Sequence, residues 1–210
     1  MKKLFTLALS SLMVLGAAAC GTTSYDDTVL SAEKDGLSFH AVGGWGVWEA
    51  TKDNLMTATS VKAVSELDKG VADKLAKKNL VYLYSRVIEI KDDAGWTKDA
   101  MVNGTKTTFD GSHAIKCIAA EYNKEEETYA NKYWITNPGD NNNCNAEDLS
   151  GNIFMPPFQK DKDANGFSWA DDPVFTGEKG TYTFVVAQYK EVSSPTVYGF
   201  GFAMIAKVLK

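Results

Sequence analysis

The chain is short of the residues that most enzyme chemistry needs. It carries two histidines, three cysteines and five prolines in 210 residues. His40 and His113 each lack a neighbouring ligand at helical or hairpin spacing, so no His-Glu-x-x-His zinc helix exists and both histidines read as structural. There is no Gly-x-Ser-x-Gly nucleophile elbow and no glycine loop built to cradle phosphate. The 27 acidic residues contain no spacing that singles out a glycosidase pair, whose members need only meet in space. An excess of positive charge is also missing. With 22 basic residues the net charge is −5, which argues against nucleic acid and against an anionic membrane surface as partners. Long apolar runs are absent too. The stretch Leu4–Leu15 falls well short of the roughly 20 residues that a membrane-spanning helix requires. Gly and Pro together number 22, close to average usage, so the chain is not of low complexity. These absences point away from an enzyme and toward a binding protein.

What is present begins at the N-terminus. Lys2 and Lys3 precede the apolar stretch Leu4–Leu15, followed by the small residues Gly16-Ala17-Ala18-Ala19 and then Cys20-Gly21. This is the layout of a secretory signal peptide over residues 1–19. A cysteine directly after the small-residue box resembles the acylated N-terminus of a bacterial lipoprotein, which implies lipidation at Cys20 and an extracytoplasmic, envelope-anchored protein. The family pattern has Leu three residues before that cysteine, where this chain has Ala17. The Ala17-Ala18-Ala19 run equally suits ordinary signal peptidase, which would release a soluble protein. Without the leader's two lysines the remaining chain has 20 basic and 27 acidic residues, a net of −7. If Cys20 is acylated, Cys117 and Cys144 form an even pair in an oxidising compartment and can close a disulfide.

Residues 20–35 read as a polar tether, and residues 36–210 as one domain. Leu37–Val42 alternates apolar and polar at period two, as a half-buried strand does. Val61, Val64, Leu67, Val71 and Leu75 line one face at 3.6 residues per turn, predicting a single helix near 60–78 with Thr59 or Ser60 as its N-cap. Further strands are expected over 80–90, 106–110, 112–122, 129–136, 180–189 and 197–208. The Asp110-Gly111 pair signals a hairpin between the strands at 106–110 and 112–122. Residues 137–152 read as a long polar loop. The expected fold is mainly β, an antiparallel β-sandwich of immunoglobulin-like or jelly-roll type with one inserted helix.

Two patterns offer ligand chemistry. In Asp161-Lys-Asp163-Ala-Asn165-Gly166-Phe167, followed by Asp172, oxygen donors stand at positions 1, 3, 5, 7 and 12 of a calcium loop, the Phe167 carbonyl being the seventh. Ser168 and Asp172 depart from the usual apolar and Glu positions. Prolines on both sides deny the helices of an EF-hand, and a solvated acidic turn fits the same composition. Ca2+ is therefore one expected cofactor. The other pattern is tryptophan in polar loops: Trp45 and Trp48 among glycines, Trp96 after Asp93-Ala-Gly, and Trp169 inside the acidic loop. Flat indole faces beside Asp, Asn and Lys suit sugar rings, although any one of them can instead plug the end of a sandwich.

Phe39-His-Ala-Val-Gly-Gly-Trp-Gly-Val-Trp48 and Gly180-Thr-Tyr-Thr-Phe-Val-Val186 resemble the first and last strands of starch-binding β-sandwich modules found on bacterial surface lipoproteins. That resemblance covers about a tenth of the chain. It implies non-catalytic binding of a polysaccharide or oligosaccharide, an α-glucan first, with Trp45 and Trp48 as ligand residues. The helix and the acidic loop have no counterpart in that family. The alternative is an envelope interaction or assembly protein that holds a protein partner on a sheet edge or face.

Overall fold

The computed structural model describes residues 24–91, 98–102, 105–109, 113–135, 145–151, 153–155, 174–190 and 198–207. Its strands, in chain order, are β1 (Leu37–Gly43), β2 (Thr57–Ala58), β3 (Asn79–Ile90), β4 (Lys98–Val102), β5 (Thr105–Phe109), β6 (His113–Asn123) and β7 (Thr128–Ile135), then β8 (Asn145–Asp148), β9 (Phe154–Met155), β10 (Val174–Phe175), β11 (Gly180–Lys190) and β12 (Tyr198–Ala206). Two helices, α1 (Val61–Ser65) and α2 (Lys69–Leu75), lie between β2 and β3.

The strands form two five-stranded sheets and a separate β4–β5 ribbon. In sheet one, β6 pairs antiparallel with β1, β7 and β10, and β10 pairs with β9. Sheet two runs β2-β3-β11-β12-β8, antiparallel except that β8 lies parallel to β12. The mainly β sandwich is as expected, and its second sheet is mixed rather than purely antiparallel. β5 pairs with β4 along its whole length, so it is not the partner of β6 that the Asp110-Gly111 pair suggests. The segment expected to be only a polar loop contributes β8 to sheet two.

Alternation along the strands explains the layers. Phe39 and Ala41 of β1, Ile115, Cys117 and Ala119 of β6, Tyr84 and Ile88 of β3, Phe184 and Val186 of β11, and Phe200, Phe202 and Met204 of β12 bury their side chains between the sheets. Side chains at the intervening positions point to the opposite face of each sheet. On sheet two these are Leu83, Val185, Ala187, Ala203 and Ile205, covered by Val61, Val64, Val71, Ala72 and Leu75 of the helices. On sheet one they are Val42, Ile118 and Ala120, covered by Trp48, Ala50 and Tyr129. The sandwich thus has a coat on each outer face, helices on one and the segment after β1 on the other.

The single helix expected over 60–78 is two short ones. Ser60 caps the first, its hydroxyl accepting from the Ala63 amide at 3.2 Å. Asp68 then takes an extended conformation (φ −152°), and its carboxylate accepts from the Val71 amide at 3.0 Å, starting α2 afresh. A side chain that caps competes with continuation of the helix, and Gly70 two residues later weakens continuation further. Leu67, at the break, is 52% exposed although it keeps the apolar spacing.

A tight contact holds the helical coat to sheet two. A Cβ added at Gly201 of β12 would stand 2.7 Å from Leu149 Cδ1 and 3.0 Å from its Cγ. Leu149 has little room to retreat, because its amide donates to the Phe202 carbonyl at 2.8 Å and its carbonyl accepts from Lys74 Nζ at 2.6 Å. Gly201→Val is therefore expected to cost about 1–3 kcal/mol by overpacking, measured by denaturant unfolding. Shortening Leu149 to alanine in the same chain should recover part of that loss. Equal stability of Gly201→Val and wild type would show that Leu149 swings clear.

Candidate functional site

The site is built on the outer face of sheet one. β1 ends at Gly43, whose φ of 152° suits glycine best, and the chain folds back at once. Gly46 donates to the Gly43 carbonyl at 3.1 Å, and Gly43 donates to the Val47 carbonyl at 3.2 Å. This turn sends its two indoles to different places. Trp45 is half-buried against the core between the sheets, with its Nε1 buried and without a hydrogen-bond partner. Trp48 is half-buried over Val42, Ile118 and Ala120 on the outer face. The turn therefore does not bring Trp45 and Trp48 onto one surface.

Around Trp48 stand residues from two strands, β6 and β7. Lys116 of β6 places its ammonium 5.9 Å from the centre of the Trp48 ring. Tyr129 of β7 packs against the same apolar patch, and Tyr122 of β6 lies opposite it in register, their rings 5.0 Å apart and tilted at 43°. Tyr122 is 46% exposed. Asn131, exposed, pairs with Ala120 and so shares this face. Lys116, Ile118, Ala120 and Tyr122 are alternate residues of one strand, so period two alone places them together. The sequence carries that signal in the alternation of the strand, apart from the tryptophans of the loops.

From Trp48 the chain runs across the face to Asn54 and is held there by His40. This histidine is fully buried, and its ring packs edge-on against Tyr129 with centres 4.4 Å apart. Its Nδ1 lies 2.9 Å from the Thr51 carbonyl and 3.0 Å from Asn54 Oδ1, and its Nε2 lies 2.9 Å from Ser38 Oγ. Burial lowers the His40 pKa, the bonds to Asn54 and Thr51 oppose that shift, and the Arg86 guanidinium adds to it. Arg86 Nη1 donates to the Leu55 carbonyl at 2.7 Å and its Nη2 to the Asp53 carbonyl, clamping the end of the segment.

A second aromatic group, packed against the core between the sheets, is occupied internally. Tyr82 donates to Asp35 Oδ2 at 2.7 Å and Tyr133 to Gln188 Oε1 at 3.2 Å. Burial is the main cause that pushes the Tyr133 phenol up to about 12, so it stays neutral and serves as a hydrogen-bond donor.

The other sequence-derived sites fare differently. Cys117 is a free, fully buried thiol rather than half of a bridge, with Sγ 3.7 Å from Met56 Sδ. Burial drives its pKa well above the ordinary thiol range, so it is an inert core residue. Its proposed partner Cys144 lies outside the described residues, as do Cys20, Trp96, Trp169 and the calcium-loop residues Asp161, Asp163, Asn165, Phe167 and Asp172. Among the described residues, no group of three or more His, Cys, Asp and Glu side chains could hold a metal ion. No described helix is long and apolar enough to cross a membrane. No protein-family model, curated protein or solved structure matches the chain.

Proposed function

We propose that the chain is a lipid-anchored protein of the bacterial cell envelope that binds carbohydrate without transforming it, through the outer face of sheet one. The observation that carries this reading is the aromatic group of Trp48, Tyr129 and Tyr122 on the outer face of sheet one, with Lys116 and Asn131 beside it. Aromatic faces meet the C–H patches of sugar rings, and the neighbouring amine and amide can bond the hydroxyls at their edges. A sheet holds such side chains rigidly, which limits the ordering cost of binding an extended chain. The N-terminal leader and Cys20 support export and anchoring, and the spacing of oxygen-bearing residues from Asp161 to Asp172 supports a calcium site. An α-glucan is the first ligand class to test.

The test is a tryptophan-fluorescence titration and affinity electrophoresis against α-glucans and a panel of other polysaccharides, with and without calcium. Binding should be modest, since a shallow wet site leaves little free energy after ordering costs. Tyr122→Ala should weaken it several-fold without measurable loss of stability, because that side chain is 46% exposed. Absence of binding to every polysaccharide would turn the same group into a surface for a protein partner.

A further inference from the structure

Burying a histidine on the outer face of a sheet requires partners for both ring nitrogens. His40 has them, and the direction of each bond can be read from the neighbours. Asn54 Nδ2 donates to the Glu49 carbonyl at 2.7 Å, and its Oδ1 accepts from the Thr51 amide at 2.9 Å, which fixes the orientation of the amide. The two atoms facing His40 Nδ1 are therefore oxygens that accept, and Nδ1 carries the proton. One imidazole N–H thus closes a ring of bonds through Glu49, Thr51 and Asn54, immediately after Trp48 in the chain. The same imidazole packs against Tyr129. His40 thus touches Tyr129 directly and, through Thr51 and Asn54, holds the segment that follows Trp48.

We propose that His40 is a positioning residue that latches the 49–54 segment, and with it the Trp48 indole, onto the outer face of sheet one, and that acid opens this latch. Its binding consequence rests on the carbohydrate reading above; the latch itself does not. In the latched state the ring is buried and neutral, and once released it enters water, where an imidazole titrates near about 6.5. Each packed element contributes a group to the balance. Arg86 of β3 is a cation that opposes a second charge, and Lys116 of β6 is a further cation on this face. Tyr129 of β7 meets the imidazole in a T-shaped contact and brings no formal charge, and Glu49, Lys52 and Asp53 on the segment itself are exposed. The latched state binds fewer protons than the open one. Lowering the pH through about 6.5 therefore shifts the equilibrium toward open, by at most about tenfold per pH unit, until the latched ring itself titrates. Ser38 moderates this. In the neutral ring Nε2 accepts from the Ser38 hydroxyl at 2.9 Å, and on protonation that hydroxyl can turn its hydrogen to the Ala120 carbonyl, 3.1 Å away, and accept Nε2–H instead. Removing that acceptor should make the latch open further in acid.

Amide hydrogen exchange on the intact protein between pH 7.5 and 5.0, corrected for intrinsic exchange chemistry, tests this directly. In wild type, protection of peptides covering Trp48–Leu55 should fall below about pH 6.5, by up to tenfold per unit, while β11 and β12 stay protected. Ser38→Ala should fall further over the same range. His40→Gln should show weak protection of this segment with no pH dependence. If that variant does not fold, the wild type and Ser38→Ala decide the matter. Protection of the segment that stays flat with pH in wild type would overturn the proposal. A glucan affinity that follows the exchange curve supports it. An intact exchange curve with no glucan binding at any pH leaves the latch standing and removes the carbohydrate reading.

Discussion

Phe39→Ala is expected to destabilise the protein by about 3–5 kcal/mol, close to the full stability of a marginal domain. Phe39 is fully buried at the centre of the space between the sheets. Its ring stacks on Tyr84 with centres 4.4 Å apart and meets the edge of Tyr82 at 5.7 Å. Both partners are tied down by their hydroxyls, Tyr84 accepting from the Ala32 amide at 2.7 Å and Tyr82 donating to Asp35 at 2.7 Å. Neighbours held in this way cannot collapse into the vacated volume, so the cavity cost adds to the lost transfer free energy. The midpoint of denaturant unfolding should drop with little change in slope, as for a change in stability alone. Val87→Ala is the matching control, since that side chain is 59% exposed and its loss should stay within about 0.5 kcal/mol. A Phe39→Ala loss near the control value would mean that the two sheets do not meet across this residue.

Much of this architecture was legible because runs of apolar, β-branched and aromatic residues bounded by turn residues mark strands. Leu37–Val42 and the two long C-terminal strands lie where those runs place them, though they are buried on both faces rather than one, and β11 and β12 pair antiparallel through nine registered positions from Tyr182–Ala206 to Lys190–Tyr198. Where local signals competed with distant partners, the distant partners decided. The Asp110-Gly111 pair is a strong hairpin signal, yet β6 sits between β1 and β7 while β5 pairs with β4. β8 has no apolar rhythm at all. It is held by its ladder with β12 and through Glu147, which takes a 2.7 Å salt bridge from Lys78 and a 3.3 Å bond from Tyr189. The helix break at Asp68 was hidden because Leu67 continues the apolar spacing while capping chemistry interrupts the backbone. The proposed binding face is a longer-range product still, since Trp48, Lys116, Tyr122 and Tyr129 come from three separate segments. Spacing within a segment can show that Lys116 and Tyr122 share a face, but only the pairing of β6 with β1 and β7 makes that face a surface.

Trp48→Ala and Trp45→Ala are expected to separate binding from stability, although the two residues stand three apart in one turn. Trp48 lies half-buried over Val42, Ile118 and Ala120, with Lys116 near its ring, and leaves part of its face to solvent. As the central aromatic of the proposed surface it should carry about 2 kcal/mol or more of glucan binding, roughly thirtyfold in affinity or beyond. Its loss should cost the fold about 1 kcal/mol or less, because the sheet beneath is secured by other contacts. Trp45 packs against the core between the sheets, so its truncation should cost about 2–4 kcal/mol and lower affinity only as far as the fold itself loosens. Its buried Nε1 has no hydrogen-bond partner, which adds a finer test. Trp45→Phe keeps a ring in the core and removes the unsatisfied donor, so it should cost far less than alanine and come close to neutral. Isothermal binding and denaturant unfolding on the same preparations give both quantities for each variant. The reverse outcome, with Trp45→Ala silent in stability and dead in binding, would move the ligand surface from the outer face of sheet one to the end of the sandwich.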